Sequence, residues 1–308
     1  MKASDLVAEG IRILKASPAI DHWQKDREEI ESEELLQFAL LSDEYDPDEE
    51  VGAGAAKRFR GYIARRAKGE PTQLIKGYTE FRGLELVAAP GVFVPRDSSE
   101  FLAEQVIARL KRREDPVFVE LACGVGAVSL AVRNETWGTK VYGSDIAADA
   151  IRAARRSARN LRLRATFVRG DLYGGLPRSI RGKVDAIAMH PPYVARGEVR
   201  ELPAEIRRYE PVHTLTDRSV DGLGLVTRAV EESHEWLKRG GWFLVEVSPD
   251  RARAVASVMR RGGRGLPDRA FRRFAVAEQD VRAVVRLDAT RIERRTDRRA
   301  QPLAERPG

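Results

Sequence analysis

From about residue 115 onward, short apolar segments alternate with amphipathic stretches, and this alternation restricts the fold more than any other feature. Strands are predicted at 117–121, 140–144, 165–168, 184–189 and 242–247. Helices are predicted between several of them, at 127–133, 148–160 and 223–238. Such alternation is typical of a mostly parallel sheet with helices on both faces, which binds ligands beyond the carboxyl ends of its strands. We therefore predict an α/β fold.

The residues before this region have a different character. Residues 1–76 carry helical spacing of apolar residues, and helices are predicted at about 26–41 and 53–68. Apolar residues between 78 and 94 are interrupted by glycine and proline, which indicates a β-hairpin. A helix is expected to follow from about residue 100, with Ser98 or Ser99 as its cap. We predict a helical domain at 1–76, a hairpin linker at 77–99, an α/β domain at 100–290 and a basic, disordered tail at 291–308.

Composition excludes several classes of protein. No run approaches the roughly 20 apolar residues of a membrane helix, and charges distributed over the first 19 residues leave no apolar core of a signal peptide. Cys123 is the single cysteine, so an intramolecular disulfide is impossible. The four histidines show no metal-binding spacing, and we expect no metal. These observations predict a cytoplasmic protein, without membrane contact and of unspecified oligomeric state.

The net charge of +7 raises the question of nucleic-acid binding. Arginines are frequent between 251 and 299, where aromatic residues are few, and this pattern favours a solvated basic terminus over a nucleic-acid site. Nucleic acid is retained as the less favoured partner. The tryptophans are interpreted as packing residues and not as base-stacking platforms; they are Trp23, Trp137, Trp236 and Trp242.

A glycine-containing turn follows the first predicted strand. Gly124 and Gly126 let the backbone turn sharply and approach a ligand closely. A dinucleotide and S-adenosylmethionine are the two candidate ligands. The dinucleotide fingerprint needs a third glycine, where this chain has Ser129. The glycine pair alone does not decide between a ligand and a plain turn.

Acidic residues at three consecutive strand ends favour S-adenosylmethionine. Asp145 follows the turn by about 20 residues, where a carboxylate can bind both ribose hydroxyls of either cofactor. The Glu120 carboxylate can attract the cationic methionine end of S-adenosylmethionine, but it would repel the pyrophosphate of a dinucleotide. Asp171 is expected near the adenine. We predict that S-adenosylmethionine is the cofactor.

The segment His190-Pro191-Pro192-Tyr193 directly follows the strand at 184–189. It resembles the Asn/Asp-Pro-Pro-Tyr signature of methyltransferases that act on planar nitrogen. The lone pair of an amide nitrogen is delocalised, so the enzyme must accept its N–H bonds and aim the nitrogen at the methyl group. Two prolines hold these acceptors still, and the tyrosine can stack on the flat acceptor group.

Further motifs extend the resemblance over about residues 21–250. They are Arg65-Arg66-Ala67-Lys68-Gly69-Glu70-Pro71, Phe81-Arg82-Gly83-Leu84, Pro90-Gly91-Val92-Phe93-Val94-Pro95-Arg96, Tyr209-Glu210-Pro211, Asp221-Gly222-Leu223 and Gly240-Gly241-Trp242. In this order they resemble the HemK/PrmC family of protein-(glutamine-N5) methyltransferases, which modify peptide-chain release factors. The resemblance implies a helical substrate-recognition domain and a Rossmann-like, seven-stranded class I methyltransferase sheet.

The resemblance also implies site residues. Cofactor contacts would lie at Ala122, Cys123, Gly124, Val125, Gly126, Asp145, Leu172 and His190, beside Glu120 and Asp171. The substrate would be a glutamine of a protein, a peptide-chain release factor in this family's manner, and it would meet His190, Pro191, Pro192 and Tyr193.

Two departures from the family pattern leave alternatives open. Ala122 replaces the first glycine of the turn, which is tolerable if the backbone angles suit alanine. His190 replaces asparagine, and a neutral imidazole offers its donor and acceptor at other positions. A diverged methyltransferase acting on a small metabolite or an RNA base is therefore one alternative, and a degenerate cofactor-binding module is another. The family's last strand pair has no clear match, although 283–287 can supply one strand.

Overall fold

The computed structural model describes residues 1–22, 25–262, 274–279 and 282–288. Trp23 and the predicted tail at 291–308 lie outside the described residues. None of the described helices is long and apolar enough to cross a membrane.

Four helices form the N-terminal part of the chain, as predicted from the helical spacing. They are α1 (Ala3–Lys15), α2 (Arg27–Leu40), α3 (Ala53–Arg66) and α4 (Thr72–Lys76). Leu6, Leu35 and Phe59, one from each of the first three helices, are fully buried together. The helices pack closely at Gly10, where a Cβ atom would lie 2.3 Å from the Ser32 hydroxyl oxygen.

The predicted hairpin is present but shorter than the apolar pattern suggests. Strands β1 (Tyr78–Phe81) and β2 (Leu84–Val87) pair antiparallel. Arg82 and Gly83 join them with φ values of +49° and +71°, as a two-residue hairpin turn requires. Residues 88–98 contain no regular element, and several of them line the cleft described below.

The remaining strands form one seven-stranded sheet. They are β3 (Val117–Leu121), β4 (Lys140–Asp145), β5 (Thr166–Arg169), β6 (Val184–Met189), β7 (Leu237–Val247), β8 (Phe274–Gln279) and β9 (Arg282–Asp288). Their order is β5-β4-β3-β6-β7-β9-β8. The first five are parallel, whereas β9 runs antiparallel to both of its neighbours. The strand predicted at 283–287 is thus confirmed as β9, and β8 had no sequence prediction.

Helices cover both faces of this sheet. They are α5 (Ser99–Leu110), α6 (Ala127–Glu135), α7 (Ala148–Asn160), α8 (Ala204–Tyr209), α9 (Val212–Leu215), α10 (Gly224–Ser233) and α11 (Pro249–Gly262). Successive residues of β3 point to opposite faces. Phe118 packs with α5, α6 and α7, while Val119 packs with α10 and α11. The strand order reverses at β3 and β6, and ligands of such sheets bind beyond the carboxyl ends at that reversal.

Two details of the sequence prediction were wrong. The helix predicted at 223–238 ends at Ser233, because Trp236 packs against Tyr173 and Leu237 begins β7 beside Val184. Ser98 precedes α5, but its hydroxyl donates to Glu246 on β7 instead of capping the helix.

A buried cluster of charges joins the N-terminal helices to the segment before α9. The Arg66 side chain is fully buried, and its Nε lies 2.7 Å from Glu31 Oε2. Its Nη2 lies 2.9 Å from Glu205 Oε2, on α8. Arg27 Nη1 also contacts Glu205, at 2.7 Å. These contacts cross from α3 to α8 with each charge compensated by an opposite one.

Candidate cofactor and acceptor site

A cleft of about 1010 Å³ opens beyond the carboxyl ends of β3 to β6, where the strand order reverses. Every residue that the sequence assigned to the cofactor or the acceptor lines this cleft, with one exception, Gly126. The structure therefore brings together side chains that are separated by up to 73 positions in the sequence, from Glu120 to Tyr193.

The turn after β3 is built from left-handed backbone. Gly124 has φ +53°, and a Cβ atom there would meet nothing within 4 Å, so its backbone is open to the cleft. Gly126 has φ +79°, and its missing side chain instead admits Phe167, whose ring would lie 2.6 Å from a Cβ. Gly126 thus allows α6 to pack on the sheet and does not line the cleft.

Ala122 is the irregular residue of this turn. Its φ is +51°, in the left-handed region that is unfavourable for alanine by about 1 kcal/mol. From the sequence, we expected an alanine to be tolerable here if the backbone angles suited alanine. The backbone has instead kept the glycine-like conformation, so the residue is accommodated at an energetic cost.

Asp145 ends β4 and holds the turn in place. One carboxylate oxygen accepts the Gly124 N–H at 2.9 Å, and the other accepts the Ala147 N–H at 2.8 Å. Burial raises the pKa of Asp145, and these two backbone hydrogen bonds oppose that effect. The carboxylate is fixed by the backbone and retains lone pairs for hydroxyl donors from the cleft.

Glu120 lies near the end of β3 and is only 6% exposed. Its Oε2 accepts the Ser129 N–H of α6 at 2.7 Å. Burial raises the pKa of Glu120 to about 7, with a further contribution from the negative charge of Asp145. A carboxylate at this position carries a desolvation cost that a bound cation would offset.

Asp171 and Leu172 follow β5 at the rim of the cleft. Asp171 is half exposed and forms an ion pair with Arg228 at 2.7 Å. Leu172 is buried and has φ +49°. Like Ala122, it is a non-glycine residue of the site whose backbone is in the left-handed region.

His190 follows β6 and is surrounded by aromatic rings. The Tyr193 ring stacks beside it with centroids 5.8 Å apart, and the Phe93 ring meets it edge-on at 5.5 Å. His190 Nδ1 lies 3.3 Å from the Ser99 hydroxyl oxygen and 3.8 Å from Oε2 of the fully buried Glu246. One side of the imidazole is therefore oriented by polar groups of α5 and β7.

The loop that carries Tyr193 is braced by a later segment. Tyr193 forms an isolated β-bridge with Thr216, and the Val194 N–H donates to the Leu215 carbonyl at 3.0 Å. Gly222 passes so close that a Cβ atom there would lie 2.1 Å from the Tyr193 carbonyl oxygen. This contact explains why a glycine stands in the Asp221-Gly222-Leu223 motif.

Several cleft residues were not identified from the sequence. Arg96 pairs with the buried Glu210, whose pKa is raised by burial. His213 lines the cleft near Asp145, and no role in the site was predicted for it from the sequence. Glu246 is not part of the cleft lining but lies 3.8 Å from His190 Nδ1, and it had a detectable signal as the acidic residue of the otherwise apolar run 242–247.

Cys123 packs within the turn after β3. It is buried, and this burial raises the pKa of its thiol well above the usual range. The thiolate is the reactive form, so Cys123 is unsuited to nucleophilic attack. Within the described parts of the chain, no group of acidic, histidine or cysteine residues could hold a metal ion.

The cleft suits S-adenosylmethionine better than a dinucleotide. Glu120 is buried and Asp145 is partly buried at two neighbouring strand ends, beside an open backbone turn. A buried carboxyl group at Glu120 favours a cationic group and would repel a pyrophosphate. The residues present therefore fit this cofactor.

Comparison with known proteins agrees. Residues 83–206 match the family model described as Methyltransferase small domain. The release factor glutamine methyltransferase of Geobacter sulfurreducens is 32% identical over 238 residues, covering 76% of this chain and 82% of the relative. That of Moorella thermoacetica is 34% identical over 233 residues, covering 73% and 80%.

A solved structure shows the fold. The T. Thermophilus 16S rRNA N2 G1207 methyltransferase, in complex with AdoMet and guanosine, matches with a TM-score of 0.50 and 17% identity. The match covers 68% of this chain and 49% of that one. The predicted class I methyltransferase fold is thus confirmed, and the chain is an S-adenosylmethionine-dependent methyltransferase. At these identities over most of both chains, it belongs to the release factor glutamine methyltransferase family.

Proposed function

We propose that this enzyme methylates the side-chain amide nitrogen of a glutamine in a protein, with a peptide-chain release factor as its substrate. The observation that carries the proposal is the loop from His190 to Tyr193, which lines the same cleft as the cofactor turn. The family relatives, which are named for this activity, support the same substrate.

The cofactor half of the cleft is assigned to residues on three strand ends. S-adenosylmethionine, when bound, supplies a methyl group that is electrophilic because it is attached to a sulfonium. Asp145 would accept the ribose hydroxyls, and Glu120 would compensate the cationic methionine end. Asp171 and Leu172 would border the adenine, and Ala122 to Val125 would contribute open backbone to the floor of the site.

The acceptor half is assigned to His190 and Tyr193. With the proton on Nδ1, His190 donates toward Ser99 and Glu246, and its Nε2 becomes a hydrogen-bond acceptor. That nitrogen then takes the role of the amide oxygen of asparagine and accepts an N–H of the substrate amide. Tyr193 would stack on the planar amide, and Pro191 and Pro192 would keep the loop rigid.

The N-terminal helices are assigned to substrate recognition, as the family resemblance implies. The buried contacts of Arg66 with Glu31 and Glu205 fix these helices to the segment that leads into the acceptor half. A protein docked on residues 1–76 would therefore be held at a constant distance from the cleft.

The test is transfer of a labelled methyl group from the cofactor to a release factor that contains Gly-Gly-Gln. We expect label in that protein and none when its glutamine is changed to alanine. Total RNA and a metabolite extract are incubated in parallel, because His190 is the feature that could redirect the enzyme. Label confined to RNA or small molecules would refute the protein-glutamine assignment.

Two variants at His190 test its role in the same assay. His190→Phe keeps a flat ring but lacks both nitrogens, and we expect turnover to fall on the order of 100-fold through loss of orientation. His190→Asn restores an acceptor and should retain most of the activity. Full activity in His190→Phe would exclude the proposed hydrogen bond.

A further inference from the structure

A second concave surface lies at the opposite ends of the strands from the cofactor cleft. It is an open groove of about 680 Å³ at the amino ends of β4 and β5. Its cations come from α6, β4, α7 and the turn after α7. We call it the arginine groove, and its cations are Arg133, Lys140, Arg155, Arg159, Arg162 and Arg164.

The described lining of the arginine groove contains six cations and no acidic side chain. Among the described residues, none of these six cations forms an ion pair. Elsewhere, exposed arginines such as Arg60, Arg65 and Arg181 are each paired with a glutamate. The stretch 133–169 holds nine Lys and Arg against three Asp and Glu, which concentrates positive charge at this one place. Mutually repelling charges of this kind form a strong site for an anion.

The backbone fixes part of the groove. Arg155 donates from Nε and Nη2 to the Phe167 carbonyl, at 3.0 and 2.6 Å, which orients its guanidinium. Arg162 stands just after α7 with φ +56°, where the Leu163 N–H bonds back to the Ala158 carbonyl at 2.9 Å. This helix-ending position ordinarily holds glycine. An arginine there carries a backbone strain of about 1 kcal/mol.

Trp137 stands at the rim of the arginine groove and is 96% exposed. The sequence-based interpretation of Trp137 as a packing residue was therefore wrong. Arg133, Arg162 and Arg164 line both the arginine groove and the smaller concavity that contains Trp137. The one carboxylate of that concavity, Glu135, is paired with Arg82. An exposed indole beside several guanidinium groups is the arrangement on which nucleic-acid bases stack.

We propose that the arginine groove binds single-stranded RNA. The arginines would neutralise successive phosphates, and Trp137 would stack on a base. Tyr142 and Thr166 add hydroxyl groups to the lining, and these can pair with the ribose 2′-hydroxyl that distinguishes RNA from DNA. An acidic protein would use the charge but leaves the exposed indole unexplained, so RNA accounts for more of the surface.

This function is independent of methyl transfer. Lys140 begins β4 and Asp145 ends it, so the groove and the cofactor turn are separated by the strand's length, roughly 17 Å. Bound RNA would occupy one end of the sheet while the protein substrate occupies the other.

The test is fluorescence anisotropy of the full chain with a labelled polyuridine RNA of about 12 nucleotides, at roughly 0.1 M KCl. We expect saturable binding with Kd at or below about 10 µM and a steep loss of affinity with added salt. The variant with Arg159→Gln, Arg162→Gln and Arg164→Gln should bind at least about 10-fold more weakly. Trp137→Ala should weaken binding about 5-fold or more through lost stacking.

A matched triple variant controls for net charge. Arg60→Gln, Arg65→Gln and Arg181→Gln remove the same charge at paired sites and should leave RNA affinity nearly unchanged. Methyl transfer should be normal in the arginine-groove triple variant and in Trp137→Ala, since these residues lie outside both the cleft and residues 1–76. Absence of saturable binding, or equal losses in both triple variants, would overturn the proposal.

Two competitors decide the class of ligand. In the first competition, polyglutamate is added at the same concentration of negative charge as the RNA. If polyglutamate displaces the RNA and Trp137→Ala has no effect on binding, the groove is a surface for acidic proteins and the RNA proposal is rejected. Polydeoxyuridine that binds as tightly as polyuridine would reject the assignment to RNA in favour of single strands in general. Weaker binding of both competitors supports the proposal.

Discussion

The two halves of the cleft are built in different ways. The cofactor half is made by consecutive strand ends, where the backbone turn at Gly124 and the acids Glu120 and Asp145 meet. The acceptor half is made by side chains from distant segments, with His190 held between Ser99 and Glu246. A site made by strand ends depends on local sequence, whereas a site made by packed side chains depends on every segment that supports it.

The largest effect is expected from a substitution at Gly222, which should impair the acceptor half of the cleft and leave the cofactor half intact. Gly222→Ala places a methyl group 2.1 Å from the Tyr193 carbonyl oxygen, so the acceptor loop must move. We expect kcat to fall on the order of 100-fold, as a displacement of about 1 Å can cause. The cofactor Kd should be unchanged, because the turn after β3 does not touch Gly222. Single-turnover methyl transfer and calorimetric cofactor titration measure the two quantities.

Gly182→Ala is the matched control. Gly182 has φ +72°, nearly the same as the +71° of Gly222, but a Cβ atom at Gly182 would meet nothing within 4 Å. It should carry the same backbone strain of about 1 kcal/mol without any change in kcat. If both variants lost kcat equally, the loss in Gly222→Ala would be due to instability, and it would give no evidence that the acceptor half is built differently from the cofactor half.

The next effect concerns the cofactor half and its charge. The pKa of Glu120 is about 7, so the carboxylate is largely ionised at pH 8 and largely protonated at pH 6. If the ionised form compensates the cationic cofactor, affinity should fall roughly 10-fold between pH 8 and pH 6. Glu120→Gln should bind weakly at both values. Asp171→Asn, which removes a half-exposed acid at the rim, should keep the pH dependence of the wild type.

The raised pKa of the Glu120 carboxyl group also predicts how the free energy of unfolding changes with pH. Between its ordinary pKa of 4.5 and about 7, the folded protein keeps a proton that the unfolded chain has released. Stability without cofactor therefore decreases as the pH rises through this window, by at most roughly 3 kcal/mol. Glu120→Gln should remove this decrease and melt at a higher temperature than the wild type at pH 8. A lower melting temperature at pH 8 would contradict a costly buried carboxylate.

The smallest effect is expected at Ala122. Ala122→Gly relieves the left-handed strain at φ +51°, and we expect a gain in stability of about 0.5–1 kcal/mol. Cofactor affinity should be equal or slightly higher. Thermal melting of the two proteins measures the difference, and Ala127→Gly in the first turn of α6 should lower stability instead. Destabilisation by Ala122→Gly would mean that the methyl group contributes packing that outweighs the strain.

The fold was largely predictable because the spacing of apolar residues along the sequence differs between strands and helices. The apolar runs that became β3 and β6 are bounded as predicted, since both strands are buried on both faces. β8 was missed, and the helix before β7 was extended too far. Its end depends on Trp236, which packs against Tyr173 from a distant part of the chain, and no local pattern records such a contact.

The candidate site was predictable to the extent that its residues belong to contiguous motifs. Asp145 and His190 were identified because each lies where a strand ends. The pairing of Arg96 with Glu210 was not, because 114 positions separate the two residues. Similarly, the arginine groove was overlooked in favour of the tail, because its cations are dispersed over four elements that only the folded sheet brings together.

The buried Arg66 has a consequence for how the protein unfolds. Its guanidinium bridges Glu31 and Glu205 out of contact with water, so separating α3 from α8 would break a buried ion pair, Arg66 with Glu205, at a cost in free energy. The helices and the acceptor segment should therefore open as one cooperative unit. Their amide protons would exchange with a common rate, and a ligand that holds either part would slow the exchange of both.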